Sequence, residues 1–232
     1  MTPGALLGRR RVPLRLVIFD CDGVLVDSEP VSNRLLAEDL AARGWPMGTE
    51  EATLRFLGMS LLDMRPVVEA RLGAPLPADW QDVLQARIVS ALTAEATEIP
   101  GAVAALRAVT ALGLAWRVAS NSSHAEMAAK FRRLGIAELA AGRVHSFLDV
   151  PRGKPAPDLF LAAAAAEGVV PAECVVVEDS VLGVRGAVAA GMDCLGFAPR
   201  GDGAALRAAG AVLFCGMAEL PGLFAAAMRR AA

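Results

Sequence analysis

Short, mostly apolar runs recur along the chain at residues 14–19, 114–119, 143–147, 174–177, 194–197 and 211–214. Each has the length of a strand, and such runs are the pattern of strands buried on both faces of a sheet. Between them lie helical patterns over residues 102–112, 124–134, 159–167 and 182–190, which stop at Gly113, Gly135, Gly168 and Gly191. Glycine there can take the left-handed conformation that closes a helix. Strands alternating with helices predict a mostly parallel sheet with helices on both faces and ligands at the carboxyl ends of the strands.

The rhythm breaks between residues 29 and 98, where the pattern is helical and no run reads as a strand. One helix is expected over 29–43, ending at Gly44. A second starts from Thr49, whose hydroxyl can cap a turn containing Glu50 and Glu51, and a third from Ser60, paired with Asp63 as in a capping box and ending before Gly73. A fourth is expected over 79–97. The predicted fold is therefore α/β, a Rossmann-like parallel sheet core formed by residues 1–28 and 99–232, with an inserted all-helical cap domain at 29–98. Its hinges are placed near Ser28 and near Ile99-Pro100-Gly101.

At 232 residues the chain can bury a substantial core. Hydrophobic residues make up 55%, charged residues 21%, and the formal net charge of −2 is spread rather than gathered in blocks, which argues against a nucleic-acid partner. The run after Arg9-Arg10-Arg11 is too short for a signal peptide and contains Arg15. No apolar stretch approaches the roughly 20 residues of a membrane span, so no membrane partner is expected. Cys21, Cys174, Cys194 and Cys215 are far apart and match no zinc spacing, which suits reduced thiols and a cytoplasmic location. Lys130 and Lys154 stand against 21 arginines, which makes each lysine worth inspecting.

The chemistry concentrates in loops that follow the strands. The first run delivers Asp20 and Asp22 to its end, with Gly23 allowing a sharp turn. Taken alone, an Asp-x-Asp-Gly segment is equally well a turn whose carboxylates bind backbone amides. Ser120-Asn121-Ser122-Ser123 follows the second run and offers hydroxyl, amide and helix N–H groups to a phosphate, or merely a helix cap. Farther on comes Gly153-Lys154-Pro155-Ala156-Pro157-Asp158, where Asp158 can cap the next helix and Lys154 can reach a phosphate oxygen and a carboxylate together. Glu178-Asp179-Ser180 ends another apolar strand in two acids. Acids at two strand ends suit one magnesium ion, which prefers oxygen ligands and keeps waters for a substrate phosphate. His124 and His145 form no cluster with the cysteines and are assigned to helix-end and packing roles.

In order and spacing, the segment from Asp20 to Ser28, Ser120-Asn121, Gly153-Lys154-Pro155 and Glu178-Asp179-Ser180 resemble the four motifs of the haloacid dehalogenase superfamily, in the branch with a helical cap after the first strand. The resemblance spans nearly the whole chain. It implies a magnesium-dependent phosphatase acting on a small phosphorylated metabolite, with Asp20 as nucleophile forming an aspartyl-phosphate and Asp22 as general acid and base. It further implies a metal held by Asp20, the backbone carbonyl of Asp22 and Asp179, with Glu178 as a direct ligand or just behind, and Ser120, Asn121 and Lys154 binding phosphate. Many relatives carry a further aspartate near the position of Gly183, which this chain lacks.

A phosphosugar mutase similar to β-phosphoglucomutase shares the motifs but needs basic groups in its cap, where this chain has Ser32, Leu57 and Leu61 around Gly58-Met59-Ser60. A dehalogenase would use the nucleophile without Asp22, Glu178 and Asp179. A non-catalytic phosphate-binding protein would not keep candidates in all four loops. Asp27 is expected to fix the hinge turn, Ser180 to cap the helix after it, and Trp45, Trp80 and Trp116 to pack. The small apolar segment near Gly58 favours a sugar phosphate or phosphorylated sugar acid, and one chain carrying both parts of the site points to a monomer.

Overall fold

The computed structural model describes residues 1–56, 59 and 61–229. Its strands are β1 (Leu16–Phe19), β2 (Val26–Asp27), β3 (Thr97–Glu98), β4 (Ala115–Ser120), β5 (Val144–Ser146), β6 (Cys174–Glu178), β7 (Asp193–Phe197) and β8 (Val212–Phe214). Six of them form a sheet in the order β5-β4-β1-β6-β7-β8, with every pair parallel. Central β1 sets Phe19 opposite both Val118 and Val177. That register brings Asp20, Ser120 and Glu178 to one carboxyl edge of the sheet.

The helices are α1 (Pro3–Gly8), α2 (Glu29–Ala42), α3 (Thr49–Arg55), α4 (Leu61–Leu72), α5 (Trp80–Glu95), α6 (Ala102–Ala111), α7 (His124–Arg133), α8 (Ala137–Ala140), α9 (Asp158–Ala166), α10 (Val181–Ala189), α11 (Ala204–Ala209) and α12 (Leu220–Arg229). Side chains alternate across β1 because successive Cβ atoms point to opposite faces. Val17 and Phe19 pack with Leu106, Val109, Met127 and Phe224, whereas Leu16 and Ile18 pack with Phe160, Ala163 and Val184. Two covered faces explain why β1 is wholly apolar; burying each large aliphatic side chain stabilises by about 1.5–3 kcal/mol. Among the described residues no helix is long and apolar enough to cross a membrane.

The expected terminal glycines all adopt the left-handed region, Gly113 at φ 72°, Gly135 at 65°, Gly168 at 64° and Gly191 at 74°. Several local expectations are corrected. Leu14 is buried but precedes the ladder, whose first paired residue is Leu16. Residues 29–98 are not free of strand: β3 pairs antiparallel with β2, Asp27 opposite Thr97, so Asp27 belongs to a two-stranded ribbon rather than a turn. The cap of α3 is Gly48 rather than Thr49, and Asp158 opens α9 from within, its carboxylate taken by Arg152 at 3.0 Å. Leu57, Gly58 and Ser60, with the expected Ser60 cap, lie outside the described residues. Trp80 and Trp116 are buried, their ring N–H groups donating to Asp39 at 2.7 Å and to Thr110 at 2.8 Å, and Trp45 is buried against Phe56.

Candidate active site

Asp20 stands at the end of β1, and the Lys154 ammonium ion-pairs with its Oδ1. The same ammonium donates to Glu178 Oε1 at 2.6 Å. Glu178 Oε2 accepts from the backbone N–H groups of Asp179 at 3.0 Å and Ser180 at 2.9 Å, and from the Ser180 hydroxyl at 2.9 Å. Both Glu178 oxygens are therefore engaged in holding the loop and aiming Lys154. Ser180 caps α10 as expected, accepting from Gly183 N–H at 3.0 Å. A Cβ on Gly183 would lie 1.7 Å from Glu178 Oε1. A side chain at position 183 and this placement of Glu178 are mutually exclusive. Gly23 turns at φ +78°, and a Cβ on it would stand 1.9 Å from Asp179 Oδ2, so Asp179 is seated directly on the turn after Asp22.

Asp22 faces a different cluster. Its Oδ1 accepts from Lys130 Nζ at 2.6 Å and from the Ser28 hydroxyl; its Oδ2 accepts from Ser122 Oγ at 2.7 Å and Ser120 Oγ at 3.4 Å. The Asn121 amide is spent on the neighbouring loop, accepting from Lys154 N–H at 2.9 Å and donating to Lys154 O at 3.1 Å. Asn121 thus fixes the backbone that carries the lysine. Gly153 makes room for it, since a Cβ there would be 2.6 Å from Asn121 Oδ1.

Charge is unevenly compensated. Burial pushes the Asp20 carboxyl up, Lys154 pulls it back, and Glu178 and Asp22 raise it again, with a net upward shift. Burial together with Asp20, Glu178 and Glu29 raises Asp179, whose carboxylate accepts no hydrogen bond among the described residues. Burial would also raise Asp22, but Lys130, Ser28 and Ser122 hold it below the usual carboxylate range. Asp20, Glu178 and Asp179 each bring a carboxylate oxygen within 4.8 Å of the others. Three hard oxygen donors, one of them unpartnered and mutually repelling its neighbours, fit a divalent cation such as magnesium.

That imbalance predicts a pH-dependent metal effect. A carboxyl raised in the folded state keeps its proton after the unfolded chain has lost its own, so stability is full below the ordinary carboxylate pKa and falls as pH rises through the shifted value. A cation that binds the ionised acids removes this loss. The increase in Tm on adding magnesium is expected to be larger at pH 8 than at pH 5; equal increments in thermal melts would contradict the placement of the cation at these acids.

The sheet edge brings together Asp20, Asp22, Ser120, Lys154, Glu178 and Asp179, with Asn121 beside Lys154. Sequence reasoning gave Lys130 no role, read Ser122 as part of a phosphate or cap loop and Ser28 as a hinge, and foresaw none of them on Asp22. Scarcity was the only signal for Lys130: the chain has two lysines, and both are buried here against the two aspartates of the first loop. His124 opens α7 and meets Asp149 at 2.8 Å, and His145 lies in β5, neither of them at the aspartates.

Known proteins can be set beside this geometry. A family model described as haloacid dehalogenase-like hydrolase matches residues 14–191. The chain is 32% identical to the 6-phosphogluconate phosphatase of Escherichia coli K12 over 185 residues, covering 79% of this chain and 82% of that one. It is 33% identical to Hexitol phosphatase A of the same organism, covering 75% and 78% respectively. A solved HAD family hydrolase from Deinococcus radiodurans R1, with bound phosphate and sodium, superposes with a TM-score of 0.74 at 35% identity, covering 91% of this chain and 98% of that one.

Proposed function

The chain belongs to the haloacid dehalogenase-like hydrolases and is a phosphoric monoester hydrolase, and from that premise we propose that it hydrolyses a sugar phosphate or phosphorylated sugar acid through an aspartyl-phosphate on Asp20. The observation that carries this is the convergence of Asp20, Lys154, Ser120 and Asp179 at one strand edge, with Asp22 held apart from the Lys154 ion pair. Asp20 attacks phosphorus as the ester P–O bond breaks, and Asp22, ionised while Lys130 and the serines hold it, takes up a proton from solvent as the ester enters and passes it to the departing alkoxide oxygen. Asp22 then takes a proton from the water that displaces phosphate from Asp20. Lys154 and the Ser120 hydroxyl, already aimed at this edge, donate to the phosphoryl oxygens, where compensation matters most as charge redistributes in the transition state. Asp20, Asp179 and the main-chain carbonyl of Asp22 would hold magnesium, with Glu178 behind them; once bound, the ion supplies positive charge to the phosphoryl oxygens and to Asp20.

Helices α2 to α5, residues 29–98 with their flanks, are assigned as a lid joined to the sheet domain through the β2–β3 ribbon, whose two strands are the only chain crossings the insertion needs. Substrate choice is assigned to this lid. The named activities of the two relatives, towards 6-phosphogluconate and hexitol phosphates, support a polyhydroxylated carbon chain bearing one phosphate. The groups of the mechanism all come from one chain, which supports a monomer, and four unpaired cysteines suit a cytoplasmic setting.

The test is phosphate release with magnesium over 6-phosphogluconate, hexitol phosphates, hexose phosphates and phosphoglycolate. Release from at least one sugar-type ester, stopped by EDTA and restored by magnesium, is the expected result. Interconversion of hexose phosphates without phosphate release, or halide release from a 2-haloacid in EDTA, would overturn it.

A further inference from the structure

Lys130 is used by none of these steps, although it is one of two lysines in the chain and only 2% exposed. It lies on the inner face of α7 beside Met127, Ala129 and Phe131. Burying an ammonium is costly unless a charge partner and further acceptors compensate it. Compensation comes from Asp22 Oδ1 at 2.6 Å and Ser122 Oγ at 2.9 Å.

The exposures separate the roles of the pair. The Asp22 side chain is 28% exposed and keeps an edge towards the site, while the Lys130 side chain at 2% stands behind it, out of a substrate's reach. Both Asp22 oxygens are fastened, Oδ1 by Lys130 and Ser28, Oδ2 by Ser122 and Ser120. Three of these partners are neutral hydroxyls that can rotate and exchange. Lys130 alone brings an opposite charge of its own, carried on the helix α7, so its bond pairs two ions and does not rotate away as a hydroxyl can. Ser120, the proposed phosphoryl donor, touches the same carboxylate, so this orientation of Asp22 is adjacent to where the ester oxygen must leave.

We propose that Lys130 is the positioning residue of Asp22, fixing from behind the direction in which that carboxyl meets the leaving oxygen of the substrate. The proposal rests on Asp22 being the proton donor. A misdirected donor matters in proportion to how badly the leaving group needs a proton. An alkyl phosphate departs as a strongly basic alkoxide and depends on it; p-nitrophenyl phosphate departs as a stabilised phenolate and depends on it little. General acid catalysis contributes about 10²–10⁴-fold, so losing its alignment has room to be seen.

The experiment compares kcat/KM for 6-phosphogluconate and for p-nitrophenyl phosphate in Lys130→Met, Lys130→Gln and Asp22→Asn, with thermal melts of each; sorbitol 6-phosphate replaces 6-phosphogluconate if the native protein does not turn the latter over. kcat/KM reports steps up to the first irreversible one, so the later attack of water on the aspartyl-phosphate does not enter. In Lys130→Met the ratio of the alkyl to the aryl value is expected to fall about 100-fold, within the span of acid catalysis, through kcat more than KM. Lys130→Gln keeps an N–H donor towards Asp22 and is expected to recover part of that ratio; if Lys130→Met does not fold, an unchanged ratio in Lys130→Gln overturns the proposal. Equal losses on both substrates would make Lys130 a merely structural residue, and a gain on the alkyl substrate would mean that it parks Asp22 away from the reaction. If Asp22→Asn lowers the ratio and the Lys130 variants do not, only the positioning role falls. If Asp22→Asn leaves the ratio unchanged, the acid role of Asp22 falls first.

Discussion

Asp20→Asn is expected to lower magnesium-dependent phosphate release by at least about 10⁴-fold, the scale on which loss of a covalent nucleophile is felt. An amide cannot form the aspartyl-phosphate, and no other carboxylate stands where Asp20 stands. Asp22 is fastened to Lys130 and the serines, Glu178 has both oxygens occupied, and Asp179 sits on the Gly23 turn. The fold is expected to survive, because the charge of Asp20 is resisted by burial and by Glu178 and Asp22 in the metal-free protein. Without magnesium the melting temperature of the variant at pH 8 should match or exceed that of the native chain, and the increment on adding magnesium should shrink. Phosphate release persisting at more than a few per cent in this variant would remove Asp20 from the mechanism, whatever the melts showed.

Lys154→Met is expected to damage both activity and stability. The Lys154 side chain, 4% exposed, neutralises Asp20 and Glu178 together, with side chains 9% and 0% exposed. Removing one partner of a buried ionic cluster costs about 3–5 kcal/mol, because the remaining charges stay buried and uncompensated. Its own pKa is raised by the two carboxylates against the opposing effect of burial. The lysine contribution is thus fully present below the ordinary lysine pKa and is lost only as pH rises through the higher folded value, so it does not vary between pH 5 and 8. What varies is the variant: Asp20, already raised by burial, loses the Lys154 charge that pulls it down, so at pH 5 it can hold a proton and at pH 8 the penalty is full. Urea denaturation should show a larger stability difference between variant and native protein at pH 8 than at pH 5, and magnesium should recover part of it. A difference independent of pH would mean that Lys154 is held by packing rather than by the two acids.

The sheet was legible in the sequence wherever structure follows from local chain properties. Apolar runs such as 174–177, short and bounded by turn residues, suit central strands, and Gly113, Gly135, Gly168 and Gly191 mark helix ends because a left-handed residue is favoured there whatever surrounds it. The motif loops were legible for a related reason: in a parallel sheet every strand end points to the same edge, so acids at two strand ends meet without any knowledge of side-chain directions. Partnerships across long separations were not. Lys130 meets Asp22 across 108 positions and Asn121 meets the Lys154 backbone across 33, and nothing local distinguishes a lysine on a buried helix face from one in solvent. The ribbon of Val26–Asp27 with Thr97–Glu98 was too short to leave a periodic signal. Caps shifted by one residue, Gly48 standing before Thr49 and Pro157 before Asp158, whose carboxylate pairs with Arg152, and such one-residue shifts leave no mark in the hydrophobic pattern.

With Lys130 and Lys154 both turned inward and every other basic side chain an arginine or histidine, the folded molecule shows no lysine amine at its surface. Reagents and enzymes that acylate lysine would find no such amine until the site itself came apart. Acylation of Lys130 or Lys154 in an otherwise native sample would therefore record transient opening of the reaction centre, and its rate would time that opening.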